Sequence, residues 1–231
     1  MPRYASIPQS ASLTHNLQSA CPRQASIPIA SLPFTQGGLI IGITGGTGCG
    51  KTTLLSAVQA AGGLVLDCDA IYHGLLNTDK ALLDAIDSRF PGTVEGGVLQ
   101  RKKLGDLVFA NRMALLDLNR ITHGAVKREV IRRLETASGL AAIDAIALFE
   151  GGLAELCHVT VAVTAPVEDR VRRLVQRDGI TEEYARRRIA AQHDDGWFRS
   201  RCHYVLVNDG EIETFQGKCV AFLRDIGIMG V

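Results

Sequence analysis

Eight consecutive residues, Gly45 to Thr52, read Gly-Gly-Thr-Gly-Cys-Gly-Lys-Thr and match the phosphate-binding pattern G-x-x-x-x-G-K-[ST]. The apolar run from Leu39 to Thr44 is typical of a buried strand, and the apolar spacing from Thr52 to Ala61 predicts a helix. Glycines at such a junction let backbone N–H groups surround phosphate oxygens, and the helix N-terminus adds positive potential. In this pattern the lysine reaches the outer phosphates and the hydroxyl of Thr52 ligates Mg²⁺. The sequence therefore predicts a nucleoside triphosphate site.

A pair of carboxylates, Asp67 and Asp69, follows the second predicted strand, Leu64 to Asp67. Residues two apart in an extended chain point to the same side, so both side chains are expected at the carboxyl end of that strand. Ligands bind at this edge in open α/β sheets. One carboxylate would orient Mg²⁺, and the other would accept a proton from an attacking hydroxyl. The structural alternative, a cap on the next helix, explains one aspartate better than it explains two.

Seven arginines lie in two consecutive predicted helices, at about 167–177 and 181–193. Arg173 and Arg177 are four residues apart, so they share one helix face. Guanidinium groups on a closing element neutralise charge on a transferred phosphoryl group, which makes this segment a candidate lid. The alternative is a solvated helical hairpin whose arginines pair with neighbouring acids. We expect at least one of Arg173 and Arg177 to serve the phosphate site.

The elements that must position these residues alternate between strands and helices. Apolar runs predict further strands at Ala142 to Leu148, Val159 to Thr164 and Tyr204 to Val207, followed by a closing helix from Glu211. Between Ala70 and Ser138 the spacing is helical, with no convincing strand. This order predicts an α/β protein with the three-layer P-loop NTPase fold, which has a five-stranded parallel sheet, a helical substrate-side insertion and a helical lid.

The composition divides the chain at about residue 37. Residues 1–37 contain no Asp or Glu and repeat Ala-Ser-Ile-Pro, which predicts a disordered or low-complexity extension. A transit peptide is the alternative, although Arg3 and Arg23 alone supply its positive charge. The remaining chain, 38–231, is predicted to be a single kinase domain. Its parts are a core (38–69, 140–166 and 203–231), a helical acceptor-binding insertion (70–139) and a lid (167–202).

Charge and cysteine usage limit the expected partners. The 25 Lys and Arg nearly balance the 24 Asp and Glu, whereas a broad nucleic-acid footprint needs a marked basic excess. No apolar stretch approaches the roughly 18 residues of a membrane span. The six cysteines form neither a CxxC pair nor a Cys/His metal pattern, so we expect reduced thiols in a cytoplasmic enzyme. Cys49, at a helix N-terminus, is expected to have a lowered pKa.

Further motifs follow the phosphate loop in order. They are Asp67-x-Asp69, Leu99-Gln100-Arg101-Lys102-Lys103-Leu104, Ile121-Thr122-His123, Leu148-Phe149-Glu150, Gln176-Arg177-Asp178 with Arg186 to Gln192, and Asn208-Asp209-Gly210. Together with Gly45 to Thr53, this ordered set closely resembles the dephospho-coenzyme A kinases, which complete coenzyme A synthesis. The resemblance covers about residues 38–228. The segment from His193 to His203, which contains Trp197 and Phe198, departs from the usual charged pattern of that family.

The resemblance implies phosphoryl transfer from ATP, with Mg²⁺, to the ribose 3′-hydroxyl of dephospho-coenzyme A. The implied catalytic residues are Asp69 as general base, Lys51 and Arg173. The implied ATP-binding positions are Gly45, Gly46, Thr47, Gly48, Cys49, Gly50, Lys51, Thr52, Thr53, Arg177, Asn208 and Gly210, with Thr52 also ligating the metal. The implied acceptor-side positions are Asp67, Arg101, His123 and Glu150. Taken alone, His123 is better explained as a structural histidine, and Glu150 is equally explained as a helix cap.

Two other functions fit the same residues. One is a kinase of this architecture that acts on a nucleoside monophosphate or on another metabolite hydroxyl. The other is a non-catalytic ATP-binding regulator, which would bind ATP without turnover. The favoured prediction is a cytoplasmic dephospho-coenzyme A kinase that is a monomer or a weak homo-oligomer, with ATP and dephospho-coenzyme A as its partners.

Overall fold

The computed structural model describes residues 38–228, so the predicted extension at 1–37 lies outside the described residues. Seven strands occur in the described part: β1 (Ile40–Thr44), β2 (Leu64–Asp67), β3 (Val94–Glu95), β4 (Val98–Leu99), β5 (Ala141–Asp144), β6 (Val159–Thr164) and β7 (Tyr204–Val207). Five of them form one parallel sheet in the order β2-β5-β1-β6-β7. β1 is therefore central, with β5 and β2 on one side of it and β6 and β7 on the other.

Nine α-helices surround the sheet within residues 38–228. They are α1 (Lys51–Ala60), α2 (Cys68–Thr78), α3 (Lys80–Arg89), α4 (Arg101–Phe109), α5 (Arg112–Glu135), α6 (Val167–Asp178), α7 (Glu182–Ala190), α8 (Asp195–Arg201) and α9 (Ile212–Asp225), and a short 3-10 helix covers Ala154–Leu156. None of these helices is long and apolar enough to cross a membrane.

The helices cover both faces of the sheet because side chains alternate along each strand. On one face, Ile41 and Ile43 of β1 pack with α1 and with Phe215 of α9. On the other face, Ile40 packs with the helices α2 to α5. The hairpin of α6 and α7 has a small core of its own, centred on Leu174. The three-layer α/β fold predicted from the alternating pattern is confirmed.

Two boundaries differ from the prediction in the middle of the chain. β5 ends at Asp144 rather than at Leu148, because its pairing with β1 stops there and the chain enters a turn. Leu148 is still fully buried, and an apolar run looks the same whether it buries a turn or a strand. The segment from 70 to 138 also contains the hairpin β3–β4, which the prediction missed. Gly96 and Gly97, both with positive φ, form its tight turn.

The helical hairpin before β7 also departs from the prediction. The helix predicted to reach 193 ends at Ala190, and a separate helix, α8, begins at Asp195. The carboxylate of Asp194 caps α8 by accepting a hydrogen bond from Trp197 N at 2.8 Å. A loop of a few residues therefore separates α7 from α8, and this loop carries Gln192 and His193.

Replacement by alanine is expected to have opposite effects on stability at Gly42 in central β1 and at Gly217 in α9. A Cβ at Gly42 would lie 2.7 Å from Cys157 Sγ and 2.9 Å from Leu148 Cδ2, so Gly42→Ala overpacks the core. It is expected to lower the free energy of unfolding by about 1–3 kcal/mol. Gly217→Ala in exposed α9 meets nothing within 4 Å and should raise that free energy by about 0.5–1 kcal/mol. Urea titrations of both variants test this, and a Gly42→Ala protein as stable as the parent would contradict the packing.

Candidate active site

The loop from Gly45 to Gly50 joins the central strand β1 to α1. Gly50 occupies the cap position of α1 with φ 92°, a left-handed conformation that favours glycine. No side chain caps this helix end, so its first N–H groups are left for a ligand. An uncapped helix N-terminus after a glycine-rich turn is a ready anion site.

Each of four carbonyls in this loop is held by a side chain on the outside of the loop. Gly45 O accepts from Lys51 Nζ at 3.1 Å, and Thr47 O accepts from Arg170 Nε at 2.9 Å. Gly48 O accepts from Arg173 Nη1 at 3.2 Å, and Cys49 O accepts from Asn208 Nδ2 at 2.9 Å. Lys51 begins α1 directly after the loop, whereas the other donors come from α6 and from the turn after β7, so two distant segments help to fix the loop.

These bonds determine where the loop N–H groups point. In a trans peptide unit the C=O and N–H point in opposite directions. Because Arg170 holds the carbonyl of Thr47, the N–H of Gly48 faces away from α6. The same reasoning applies to the N–H of Gly50, since Asn208 holds Cys49 O. Backbone donors that converge in this way form a concave anion site.

Carboxylates meet the loop at the carboxyl edge of the sheet. Asp67 ends β2 and is in register with Asp144, which ends the neighbouring strand β5. Asp67 also caps α2 by accepting from Ala70 N at 3.0 Å. Asp69 lies in the first turn of α2, so the expectation that it continues an extended chain is wrong. The two aspartates are still close together, because the Asp67 charge contributes to raising the pKa of Asp69.

Asp144 is a site residue that sequence reasoning missed. Its Oδ1 is buried and has no hydrogen-bond partner in the described part of the chain. Burial raises the pKa of Asp144 to about 6; Lys51 opposes this, while Asp67 and Asp69 add to it. The available signal was an aspartate directly after the apolar run from Leu140 to Ile143. The prediction placed this position inside a longer strand, which hid it.

Asp69 lies among charged neighbours on α2. Burial and then the Asp67 carboxylate raise the pKa of Asp69 above its ordinary value, while Lys51 and His73 lower it. His73 is one helical turn further along and shares a face with Asp69. Arg101 Nη2 lies 3.5 Å from His73 Nδ1, so this predicted acceptor-side residue contacts the helix that carries Asp69. His73 was another residue missed in the sequence.

Arg101 also lines two surface cavities. One, of about 320 Å³, is lined by residues of the β4–α4 region, and the other, of about 210 Å³, lies between α2 and the β3–β4 hairpin. Neither cavity includes the phosphate loop. They place the Arg101 side chain beside open space on both sides.

The structure brings His123 and Glu150 together, as two predicted acceptor-side residues. His123 lies against the turn that carries Glu150; burial lowers the pKa of His123, and the nearby carboxylate partly opposes this. Glu150 Oε1 is 2.8 Å from His193 Nε2, and the His193 ring stacks on Trp197 with centroids 3.7 Å apart. The divergent segment from 193 to 203 therefore contacts the turn that carries Glu150.

The arginines of α6 divide between the loop and the surface. Arg173 contacts the loop and also donates to Asn208 Oδ1 at 3.3 Å. Arg177 instead pairs with Asp178 at 2.7 Å and is half exposed. Arg170, which the prediction did not select, is 4% exposed and contacts the loop directly. Arg170 and Arg173 are therefore the arginines of α6 that contact the loop in this structure.

One further loop prediction, for Cys49, needs correction. Burial raises the pKa of the Cys49 thiol, although Arg170 and Lys51 oppose this, so the expected lowered pKa is wrong. Its side chain packs into the core. Asn208 is 6% exposed, with both ends of its amide bonded to the loop or to Arg173. In this structure the Asn208 side chain is bonded to the phosphate loop, whereas Gly210 is exposed to solvent.

The parallel sheet, the phosphate loop after its central strand and the carboxylates at the same edge define a nucleotide-binding protein of the P-loop kinase class. Comparison with known proteins gives the family. A sequence model of the dephospho-CoA kinase family matches residues 39–214. The chain belongs to the dephospho-CoA kinase family.

Individual relatives agree with this assignment. The dephospho-CoA kinase of Corynebacterium diphtheriae is 36% identical over 183 residues, which cover 77% of this chain and 92% of the relative. That of Thermus thermophilus is 35% identical over 191 residues, covering 81% and 92%. The crystal structure of TT1252 from Thermus thermophilus matches with a TM-score of 0.68 at 33% identity, covering 82% of this chain and 98% of that one.

Replacing Asp144 by asparagine is expected to stabilise the protein by an amount that depends on pH. Because its pKa is raised to about 6 in the folded protein from an ordinary 3.8, keeping it charged above pH 6 costs stability. In chelator-treated protein at pH 7.5, Asp144→Asn should raise the free energy of unfolding by up to about 3 kcal/mol, at about 1.4 kcal/mol per pKa unit. The gain should shrink as the pH falls through 6 and vanish near 4.

Thermal melts across this pH range test the expectation, with Asp84→Asn on the exposed surface of α3 as the control. A gain that is the same at pH 4 and pH 7.5 would contradict the assignment.

Proposed function

We propose that this protein transfers the γ-phosphoryl group of ATP to the ribose 3′-hydroxyl of dephospho-coenzyme A, giving coenzyme A and ADP as the last step of coenzyme A biosynthesis. The observation that carries the proposal is the position of Asp69. It lies in the first turn of α2, at the carboxyl edge of the sheet, where the charges of Lys51 and His73 both lower its pKa, and His73 Nδ1 is 3.5 Å from Arg101 Nη2. A base between a phosphate site and an acceptor site is what transfer to a hydroxyl requires.

The donor half of the reaction uses the loop backbone. The N–H groups of Gly48 and Gly50 and the N-terminus of α1 bind the phosphate chain, together with the remaining loop positions from Gly45 to Thr53. Lys51 moves from Gly45 O, its partner in this structure, to the outer phosphates. Arg173 stabilises charge on the transferred group, and Arg177 reaches the nucleotide once it leaves Asp178. Asn208 and Gly210 lie on the adenine side.

Asp69 takes the proton from the attacking hydroxyl. A general base is most effective when its pKa approaches the working pH, and burial moves the pKa of Asp69 in that direction. Asp67 is fixed by its cap on α2 and contributes charge beside the acceptor. Arg101 attracts the anionic acceptor, and His123 with Glu150 forms the far wall of the acceptor site.

Thr52 and Asp144 would hold Mg²⁺. No group of three or more His, Cys, Asp or Glu in residues 38–228 is arranged as a metal cage. Mg²⁺ at phosphate sites instead uses one or two carboxylates together with phosphates and water. The buried Oδ1 of Asp144, which has no partner in the described chain, fits such a ligand. When bound, the ion neutralises charge on the β- and γ-phosphate oxygens.

The expected setting is the cytoplasm, where the protein acts as a monomer or a weak homo-oligomer. ATP and dephospho-coenzyme A are its partners, and neither nucleic acid nor a membrane is required for the reaction.

The acceptor and the base are tested together. Purified protein incubated with Mg·ATP and dephospho-coenzyme A is expected to form coenzyme A, detected by mass. Asp69→Asn keeps the side-chain shape but removes the base, so it should lower kcat by roughly 10²–10⁴-fold. Asp84→Asn on the exposed face of α3 is the matched control and should not change kcat. ATP binding without product would refute the acceptor, and an unchanged kcat in Asp69→Asn would remove it as base.

Lys51 is tested separately because it acts on the donor. Lys51→Ala removes the cation that contacts the outer phosphates, and kcat should fall by at least about 10²-fold, the loss typical of one such donor. Lys80→Ala changes an exposed lysine in the first turn of α3 and serves as the control. Initial rates at saturating substrate give the comparison, and near-normal turnover in Lys51→Ala would rule out the nucleotide site.

A further inference from the structure

Arg170 is the most deeply buried charged side chain next to the phosphate loop. Although it lies on a helix rich in charge, it is only 4% exposed. Its neighbours on α6, Arg172 and Arg177, are largely exposed and pair with Asp169 and Asp178. Arg170 forms no ion pair with any carboxylate of residues 38–228, and its bonds go to neutral oxygens. An unpaired buried cation is costly, so its location calls for an explanation.

Arg170 and Gln192 enclose a single residue of the loop. Arg170 Nε donates to Thr47 O at 2.9 Å, and Thr47 N donates to Gln192 Oε1 at 2.8 Å. Arg170 Nη2 closes the triangle by donating to the same Gln192 Oε1 at 3.0 Å. Both peptide units that flank Thr47 are therefore fixed from outside the loop. We call this arrangement of Arg170 and Gln192 around Thr47 the clamp.

The two glycines that flank Thr47, Gly46 and Gly48, leave the space that Arg170 occupies. A Cβ on Gly46 would collide with the Arg170 guanidinium, and a Cβ on Gly48 would lie 3.0 Å from the backbone oxygen of Arg170. Positions 46 and 48 of the loop therefore need glycine, because a larger residue there would not pack against α6. Since the clamp holds Thr47 O outward, the Gly48 N–H must face the opposite, phosphate-binding side.

The charge acts through the same peptide unit. A guanidinium on the carbonyl oxygen withdraws electron density from the amide, so the N–H at its other end becomes a stronger donor. The net positive charge of Arg170 also remains uncompensated until an anion approaches the loop. A polyphosphate supplies the missing negative charge across a few ångströms of poorly screened protein.

We propose that Arg170 and Gln192 are positioning residues that set the affinity of the phosphate loop for ATP, by fixing Thr47 and polarising the Gly48 N–H. This inference deepens the proposed function but depends only on its ATP-binding part. Neither side chain needs to touch the acceptor. The clamp also makes nucleotide affinity depend on the α6–α7 hairpin, because Arg170 lies at the start of this hairpin and Gln192 just beyond its end.

The test measures ATP binding by calorimetry in the full-length protein, without acceptor. Arg170→Gln should raise the Kd for ATP about ten- to hundredfold, as expected for losing a hydrogen bond to a charged group. Gln192→Ala should raise it about three- to tenfold. Because the two residues hold the same residue, Thr47, and are bonded to each other, the double variant should be no worse than Arg170→Gln alone. Arg172→Gln removes the same charge from the exposed face of α6 and should change the Kd less than twofold.

Stability measurements separate positioning from a purely structural role. If Arg170 only supported the fold, its loss would lower the melting temperature equally with and without ATP. The clamp instead predicts that the increase in melting temperature produced by ATP becomes smaller in Arg170→Gln and remains normal in Arg172→Gln. Arg170→Lys, which keeps the charge but cannot bridge both acceptors, should give an intermediate Kd.

Several results would overturn the proposal. They are an unchanged Kd in Arg170→Gln, an equal loss in Arg172→Gln, and effects of the two clamp residues that simply add. Steady-state kinetics give a second check, because the KM for ATP should rise while the KM for the acceptor stays within about twofold. Failure of the protein to phosphorylate dephospho-coenzyme A would refute the proposed function and leave the ATP-binding result intact.

Discussion

The opposite directions of C=O and N–H in a trans peptide unit are the constraint on which the site depends. A loop can turn its N–H groups toward an anion only if its carbonyls find partners on the other side. Here Lys51, Arg170, Arg173 and Asn208 supply these partners. The anion site is therefore as much a property of α6 and of the turn after β7 as of the glycine-rich sequence itself.

The sheet order makes these contacts possible. With β1 in the centre, β6 and α6 lie on one side of the loop, and β5 and β2 lie on the other. The first side supplies cations to the outer surface of the loop. The second side supplies carboxylates, because register aligns Asp67 with Asp144. Burial, together with the neighbouring carboxylates, disfavours ionisation of Asp69 and Asp144, which raises the pKa of both groups and reduces stability.

Two adjacent residues connect the phosphate loop with the turn that carries Glu150. Gln192 contacts the phosphate loop, and His193 contacts Glu150 beside His123. Both lie in the short loop between α7 and α8, and stacking of His193 on Trp197 anchors that loop. His193 and Trp197 belong to the segment that diverges from the usual family pattern, whereas Gln192 ends a run that matches it. The loop between α7 and α8 therefore contacts both the phosphate loop and the turn that carries Glu150.

The sequence by itself determined the alternation of strands and helices, the phosphate loop and the family, because each of these depends on local spacing. It did not determine that β5 stops at Asp144, since an apolar run continues into a buried turn with the same pattern. It also could not show that Arg170, among seven arginines, is the buried one. Burial, a raised pKa and the choice of partner arise only when segments more than one hundred residues apart meet, as Thr47 and Arg170 do. Tertiary packing alone decided which charged groups lost water and which stayed in it.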